Sequence, residues 1–102
     1  MDTFTALADP TRRRIIESLA AGETSFGELA DKFEMSRPAV SQHLRVLADA
    51  GLVAADAEGT RRIYRLVPEG WAGLRDYLDT MWDDALAAYA RAARNTEGRS
   101  RK

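Results

Sequence analysis

The stretch SRPAVSQHLRVLADAGLV, Ser36 to Val53, constrains this chain more than any other. It reads as one helix with a marked start, a marked stop and two unlike faces. Ser36 is a good N-cap, because its hydroxyl can accept from a free backbone N–H of the first turn. Met35 and Val40 stand where a hydrophobic staple would fix the angle at which the chain enters the helix. Pro38 falls in the first turn, where its missing N–H costs little. Gly51 suits a left-handed residue just past the helix end. Val40, Leu44 and Leu47 recur at helical spacing and form the stripe to be buried. The opposite side carries Arg37, Ser41, Gln42 and Arg45, with no acid before Asp49. A short helix of this kind suits a DNA major groove, where Arg and Gln make bidentate contacts to guanine and adenine edges.

The preceding residues supply a scaffold for it. Asp2 to Ala8 can form a short helix with Phe4 and Leu7 on one side. Asp9-Pro10 restarts the chain as N-cap and first helical residue. The second helix runs to about Ala21, with Ile15, Ile16 and Leu19 as its apolar positions, and Gly22 stops it. Ser25 and Glu28 have the spacing of a capping box. They open a third helix to about Phe33, with Phe26, Leu29, Ala30 and Phe33 inward. The turn Phe33-Glu34-Met35 then leads into the Ser36 helix, which is the helix-turn-helix arrangement.

After Gly51 the pattern becomes that of strands. Leu52 to Ala57 and Arg61 to Val67 fit a hairpin turning at Glu58-Gly59-Thr60, although the alternation is not clean. Tyr64 and Leu66 fall on one face, Ile63 and Val67 on the other. Arg61, Arg62 and Arg65 make the tip and outer strand basic, as expected of a wing that touches phosphate or minor groove. Pro68 ends that strand, and a long helix is expected from Trp71 to about Arg94. Trp71, Leu74, Leu78, Met81, Ala85, Ala88 and Ala92 form a heptad-like seam along it. Tyr77, Trp82, Leu86 and Tyr89 add a second apolar stripe. One stripe would pack on the chain's own domain and the other on a second copy. Residues 1–94 are thus expected to form one winged domain, and residues 95–102 a disordered polar tail.

Charge is polarised rather than large. The 102 residues carry a net charge of −1. Between Ser36 and Arg65 the bases Arg37, Arg45, Arg61, Arg62 and Arg65 face only Asp49, Asp56 and Glu58. Between Trp71 and Tyr89 the balance reverses, with Asp76, Asp79, Asp83 and Asp84 against Arg75. Those acids are read as the exposed face between two apolar stripes, which keeps DNA off the dimerisation side. The aromatic residues of the long helix are read as packing residues rather than the lining of a ligand pocket. The run Arg12-Arg13-Arg14 is read as a solvated helix face, with phosphate contact as the other reading. The absence of cysteine excludes disulfides, thiolate metal sites and thiol switches. No apolar run reaches membrane-spanning length and no signal peptide opens the chain, so the expected location is the cytosol, with no membrane partner.

The blocks ALADPTRRRII, ELADKFEMSRPAVSQHLRVLADAGLV and GTRRIYRL, about two thirds of the chain, resemble the ArsR/SmtB family of bacterial winged-helix repressors. The DPTRRRI opening is most similar to the SdpR-like branch. The resemblance implies a mainly α fold with a small β-hairpin, a winged helix-turn-helix dimeric through its terminal helices. It implies double-stranded DNA as partner and a palindromic operator, with recognition helices about 34 Å apart. Carried onto this chain, the DNA-binding residues are Ser36, Arg37, Pro38, Ser41, Gln42 and Arg45 on the recognition helix, and Arg61 and Arg62 on the wing. The dimerisation residues are Phe4, Leu7, Trp71, Leu74, Leu78, Met81 and Ala85. Metal sensors of the family often carry Cys-x-Cys on the third helix, where this chain has Leu29-Ala30-Asp31-Lys32. Others use His and carboxylates on the last helix, where this chain has no His. Neither metal sensing nor a cofactor is therefore expected. The family turn usually has Gly where Glu34 stands, and a left-handed Glu34 would cost roughly 1 kcal/mol.

His43, the single histidine, neighbours Val40, Leu44 and Leu47 in the helix and is read as packed and hydrogen-bonded rather than as a ligand. Ser41 and His43 point to different helix faces, so they make no catalytic pair. No Gly-rich phosphate loop, metal set or activated nucleophile supports an enzyme. The expected function is a homodimeric transcriptional repressor, including of its own gene. The alternative is a winged-helix module that binds protein without specific DNA binding. The sequence names no effector, and with thiols and metals set aside a small molecule is the class of inducer left open.

Overall fold

The computed structural model describes the backbone of residues 2–100 and the side chains of residues 2–95. Eight elements follow in order: α1 (Thr3–Leu7), α2 (Pro10–Ala20), β1 (Thr24–Ser25), α3 (Phe26–Ala30), α4 (Arg37–Asp49), β2 (Val53–Glu58), β3 (Arg61–Leu66) and α5 (Pro68–Ser100). Residues up to Trp71 form one compact unit, and the helix beyond it forms a second.

Local chemistry sets most boundaries in the first unit. The carboxylates of Asp2 and Asp9 accept from backbone N–H groups at the starts of α1 and α2, at 2.8 Å from Thr5 and 2.8 Å from Thr11. The Asp9 carboxyl is held below its ordinary range. Its burial pulls the other way, and the N–H groups of Arg12 and Thr11 outweigh that pull. Ser25 and Ser36 cap α3 and α4 through bonds from Glu28 N–H (3.3 Å) and Ala39 N–H (3.2 Å). At the far end of α4, Gly51 N–H donates to Ala48 (2.9 Å) and Leu52 N–H to Leu47 (3.0 Å). With Gly51 at φ +78°, this is a Schellman motif closed by the buried pair Leu47 and Leu52.

The sheet has three strands rather than the two of the expected hairpin, in the order β1-β3-β2, all antiparallel. Thr24 and Ser25 pair with Tyr64 and Ile63. The wing register runs from Val53 opposite Leu66 to Glu58 opposite Arg61. Gly59, at φ +64°, opens the two-residue loop between the strands, where glycine avoids a Cβ clash. Ile15, Leu29, Val40, Leu44, Leu47 and Leu52 are buried essentially completely at the centre. Tyr64 closes the core from β3, with Phe26 tilted against its ring.

Four expectations are corrected by this geometry. The third helix ends at Ala30, not Phe33; residues 31–35 form turns, and Phe33 is buried from there. Glu34 carries no left-handed strain, since every described residue with positive φ is a glycine. The Ser25–Glu28 capping box is half made, because the Glu28 carboxylate turns instead to Thr24 Oγ1 (3.2 Å) and Arg61. Pro68, which ends the strand, is also the first residue of α5, where a missing N–H costs nothing. The first turn of α5 lies so close to α4 that a Cβ on Gly70 would collide with the Gly51 carbonyl.

Helix α5 presents large apolar side chains to solvent. Trp82 is 65% and Tyr89 74% exposed, and Tyr77, Leu78, Met81 and Leu86 are about half exposed. An open hollow of about 530 Å³ lies among Leu78, Asp79, Met81, Trp82 and Ala85. The helix is recorded to Ser100, past the expected end at Arg94. The expected disordered tail falls mostly on residues 96–102, whose side chains lie outside the described residues. No helix among the described residues is long and apolar enough to cross a membrane.

Candidate nucleic-acid interface

Helix α4 separates its two faces as its sequence dictates. Val40, Leu44 and Leu47 are buried, while Arg37, Pro38, Ser41, Gln42 and Arg45 are exposed. The buried row locks the helix axis, and the polar row is left for a ligand. Ser36 accepts from Ala39 N–H, so its hydroxyl hydrogen remains available to donate. The side chains of Gln42 and Arg45 make no hydrogen bond or ion pair with another described residue.

The wing lies beside this face. Ser41, Arg45 and Ala48 of α4 and Ala55, Arg62 and Tyr64 of the sheet line a shared groove of about 270 Å³. The Arg62 guanidinium lies 5.8 Å from the Tyr64 ring centroid, a cation–π contact that leaves its N–H edges free. A second hollow of about 390 Å³ brings Arg37, Arg61 and Arg62 together with Thr60 and Phe26. Of the eight residues named from the sequence, these two hollows bring together Arg37, Ser41, Arg45, Arg61 and Arg62, while Ser36, Pro38 and Gln42 lie at the cap and along the exposed side of α4.

Three features escaped the sequence reading. Arg61 is held by Glu28 (2.8 Å), and Arg37 by Asp31 (3.3 Å), so α3 places two acids against the basic face. Glu28 was visible only as a capping residue, and Asp31 carried no signal. Arg12 is not a solvated charge. Its side chain is 13% exposed; Nε donates to the Ala6 carbonyl (2.6 Å) and Nη2 to Thr5 (3.2 Å). Arg12 Nη1 lies 3.3 Å from His43 Nδ1, which must be the acceptor because guanidinium only donates. Arg12 thereby ties α1 and α2 to the recognition helix. Arg13 closes the α1 terminus through the carbonyls of Leu7 (2.8 Å) and Ala8 (3.2 Å), and Arg14 stacks on Phe33 at 5.1 Å.

The remaining groups of this chain fit other roles. Trp71 donates its indole N–H to the Leu52 carbonyl (3.1 Å) and packs against its own core. Leu7 packs there as well, whereas Phe4 is half exposed. Among the described residues, no group of three or more His, Cys, Asp or Glu is placed to hold a metal ion.

The family model for bacterial regulatory proteins of the arsR family matches residues 9–55, from the Asp9 cap into β2. The HTH-type transcriptional regulator Rv2034 of Mycobacterium tuberculosis is 56% identical over 83% of this chain and 79% of its own length. The transcriptional repressor SdpR of Bacillus subtilis is 35% identical over 64% of this chain and 72% of its own. Among solved structures, a possible transcriptional regulator for arsenical resistance shares 45% identity and a TM-score of 0.73, covering 85% of this chain and 95% of that one. A homodimeric winged helix-turn-helix DNA-binding domain from Mycobacterium bovis shares 35% identity and a TM-score of 0.63, covering 80% and 76%. With the capped recognition helix, the wing and these relatives, the chain belongs to the arsR family of bacterial regulatory proteins and is a DNA-binding transcriptional regulator of winged helix-turn-helix fold.

Proposed function

We propose that two copies of this chain bind a palindromic operator in double-stranded DNA and repress by occupying it, the gene of the regulator itself among the targets. The observation that carries the reading is the exposed row Arg37, Ser41, Gln42 and Arg45 on a helix capped at both ends and fixed by its buried row. Gln42 and Arg45 are the base readers, joined by Arg37 once it leaves Asp31. Ser36, Ser41, Arg61 and Arg62 hold phosphates, and Pro38 sets the first turn without needing a partner of its own. Phe4, Leu7, Trp71, Leu74, Leu78, Met81 and Ala85 form the dimer interface, continued by the aromatic stripe of α5. The homodimeric Mycobacterium bovis domain supports that assembly. The regulator works in the cytoplasm, where the DNA is, and repression of this kind needs only DNA affinity and protein concentration.

Fluorescence anisotropy tests the reading, with DNA from upstream of the regulator's own gene against an unrelated duplex at two salt concentrations. Preferential binding that saturates at one dimer per palindrome is the expected result. Weak binding, equal on both duplexes and abolished by moderate salt, would overturn it in favour of a protein-binding module.

A further inference from the structure

Two ion pairs on the basic face have no role in the reading above. Both run from α3 or its cap to an arginine assigned to DNA. Glu28 Oε1 lies 2.8 Å from Arg61 Nη2 at the start of β3, and Asp31 Oδ1 lies 3.3 Å from Arg37 Nη2 at the start of α4. The Glu28 carboxylate is fixed a second time, because Thr24 Oγ1 donates to Oε2 at 3.2 Å. The pairing of Thr24 with Tyr64 and the Ser25 cap set where Glu28 stands. All four side chains of these pairs are more than half exposed, so water and phosphate can reach them. The other two arginines assigned to DNA differ: Arg62 sits over the Tyr64 ring, and Arg45 meets no acid among the described residues.

A carboxylate beside a guanidinium occupies the donors that a DNA phosphate would use. When the arginine turns to a phosphate, the acid is left unpaired in the negative potential of the duplex. We propose that Glu28 and Asp31 are built-in competitors for DNA phosphate, holding Arg61 and Arg37 in ion pairs that DNA must break, and so lowering the affinity for duplex DNA of any sequence. The inference rests on the DNA reading of the wing and α4. It gives that face a threshold: a duplex that supplies only phosphates meets two neutralised arginines, while one that also satisfies Gln42 and Arg45 stays bound.

The test uses the full chain and a random-sequence duplex. Exposed pairs of this kind are worth little each, so Glu28→Gln and Asp31→Asn should each tighten binding about two- to fivefold. Each should also steepen the slope of log K against log salt by up to about one unit, because one more arginine is free to displace a counterion. A residue that merely shaped the wing would instead lower the melting temperature and weaken binding. The gain from Glu28→Gln should vanish in an Arg61→Ala background, and that from Asp31→Asn in an Arg37→Ala background. Unchanged or weaker binding in the acid variants overturns the proposal, as does a gain that persists without the arginine. If Arg61→Ala weakens binding while Glu28→Gln changes nothing, the competitor role fails and the DNA reading stands. If Arg61→Ala and Arg37→Ala both leave binding unchanged, the DNA reading of those arginines fails with it.

Discussion

The α3–α4–wing region and helix α5 spend their apolar residues in opposite ways. In the first, Leu29, Val40, Leu44 and Leu47 are buried completely, and what faces solvent is polar and basic. In the second, Trp82, Tyr89, Tyr77 and Met81 face solvent beside Asp76, Asp79, Asp83 and Asp84. The first region satisfies its core within one chain and leaves specific polar groups outward, which suits a charged, patterned ligand. The second leaves unspent apolar surface along a helix, which suits another apolar helix. Acid on the second would repel a negatively charged ligand of the first.

That contrast can be broken from either side. The largest effect is expected from Leu78→Asp combined with Trp82→Asp on α5. The mass in solution, read by light scattering, should fall from dimer to monomer with the first unit still folded. Affinity for a palindromic duplex should drop by about 10² to 10⁴, as the second half-site is no longer tethered. A retained dimer would remove α5 from the interface. Next is Leu47→Ala, which empties a fully buried site under the recognition helix. It should cost about 2–5 kcal/mol in denaturant unfolding, against nearly nothing for an exposed α5 alanine changed to serine. Smaller is Arg61→Ala, which should weaken binding to any duplex and flatten the salt slope, by less than one unit while Glu28 holds the arginine and by nearly one unit in a Glu28→Gln background. Smallest is the acid response of the Asp9 cap. Its carboxyl is held low in the folded chain, so its contribution is complete above the ordinary carboxylate range and is lost as pH falls through the lowered value. The stability difference between the native chain and Asp9→Asn, which keeps the cap but not the charge, should therefore shrink below about pH 4.

The sequence made legible what depends on neighbours along the chain. Asp9, Ser25, Ser36 and Gly51 bond to backbone groups within five residues, and each stands where its local pattern placed it. The polar row of α4 and the basic wing were visible for the same reason. Long-range partners were hidden. Strand β1 is two residues long and exists only because β3, nearly forty residues later, pairs with it. Arg12 looked like one third of a charge run, yet α1 folds back over α2 and gives it two carbonyls, and α4 gives it a histidine. Glu28 meets the basic face through the β1–β3 pairing, and Asp31 through the turns that end α3 early, and nothing local in the sequence announces either. Pro68 was read as a stop because proline ends strands, but it serves equally well as a helix start.

Whether Gln42 reads a base edge is decided by one comparison. Binding of the native chain and of Gln42→Ala is measured by anisotropy on the operator and on a random duplex at the same salt. A base-reading Gln42 gives a loss of about 1–3 kcal/mol on the operator, relaxed discrimination among base substitutions within it, and unchanged binding to the random duplex. Equal losses on both duplexes would contradict it and make Gln42 one more backbone contact.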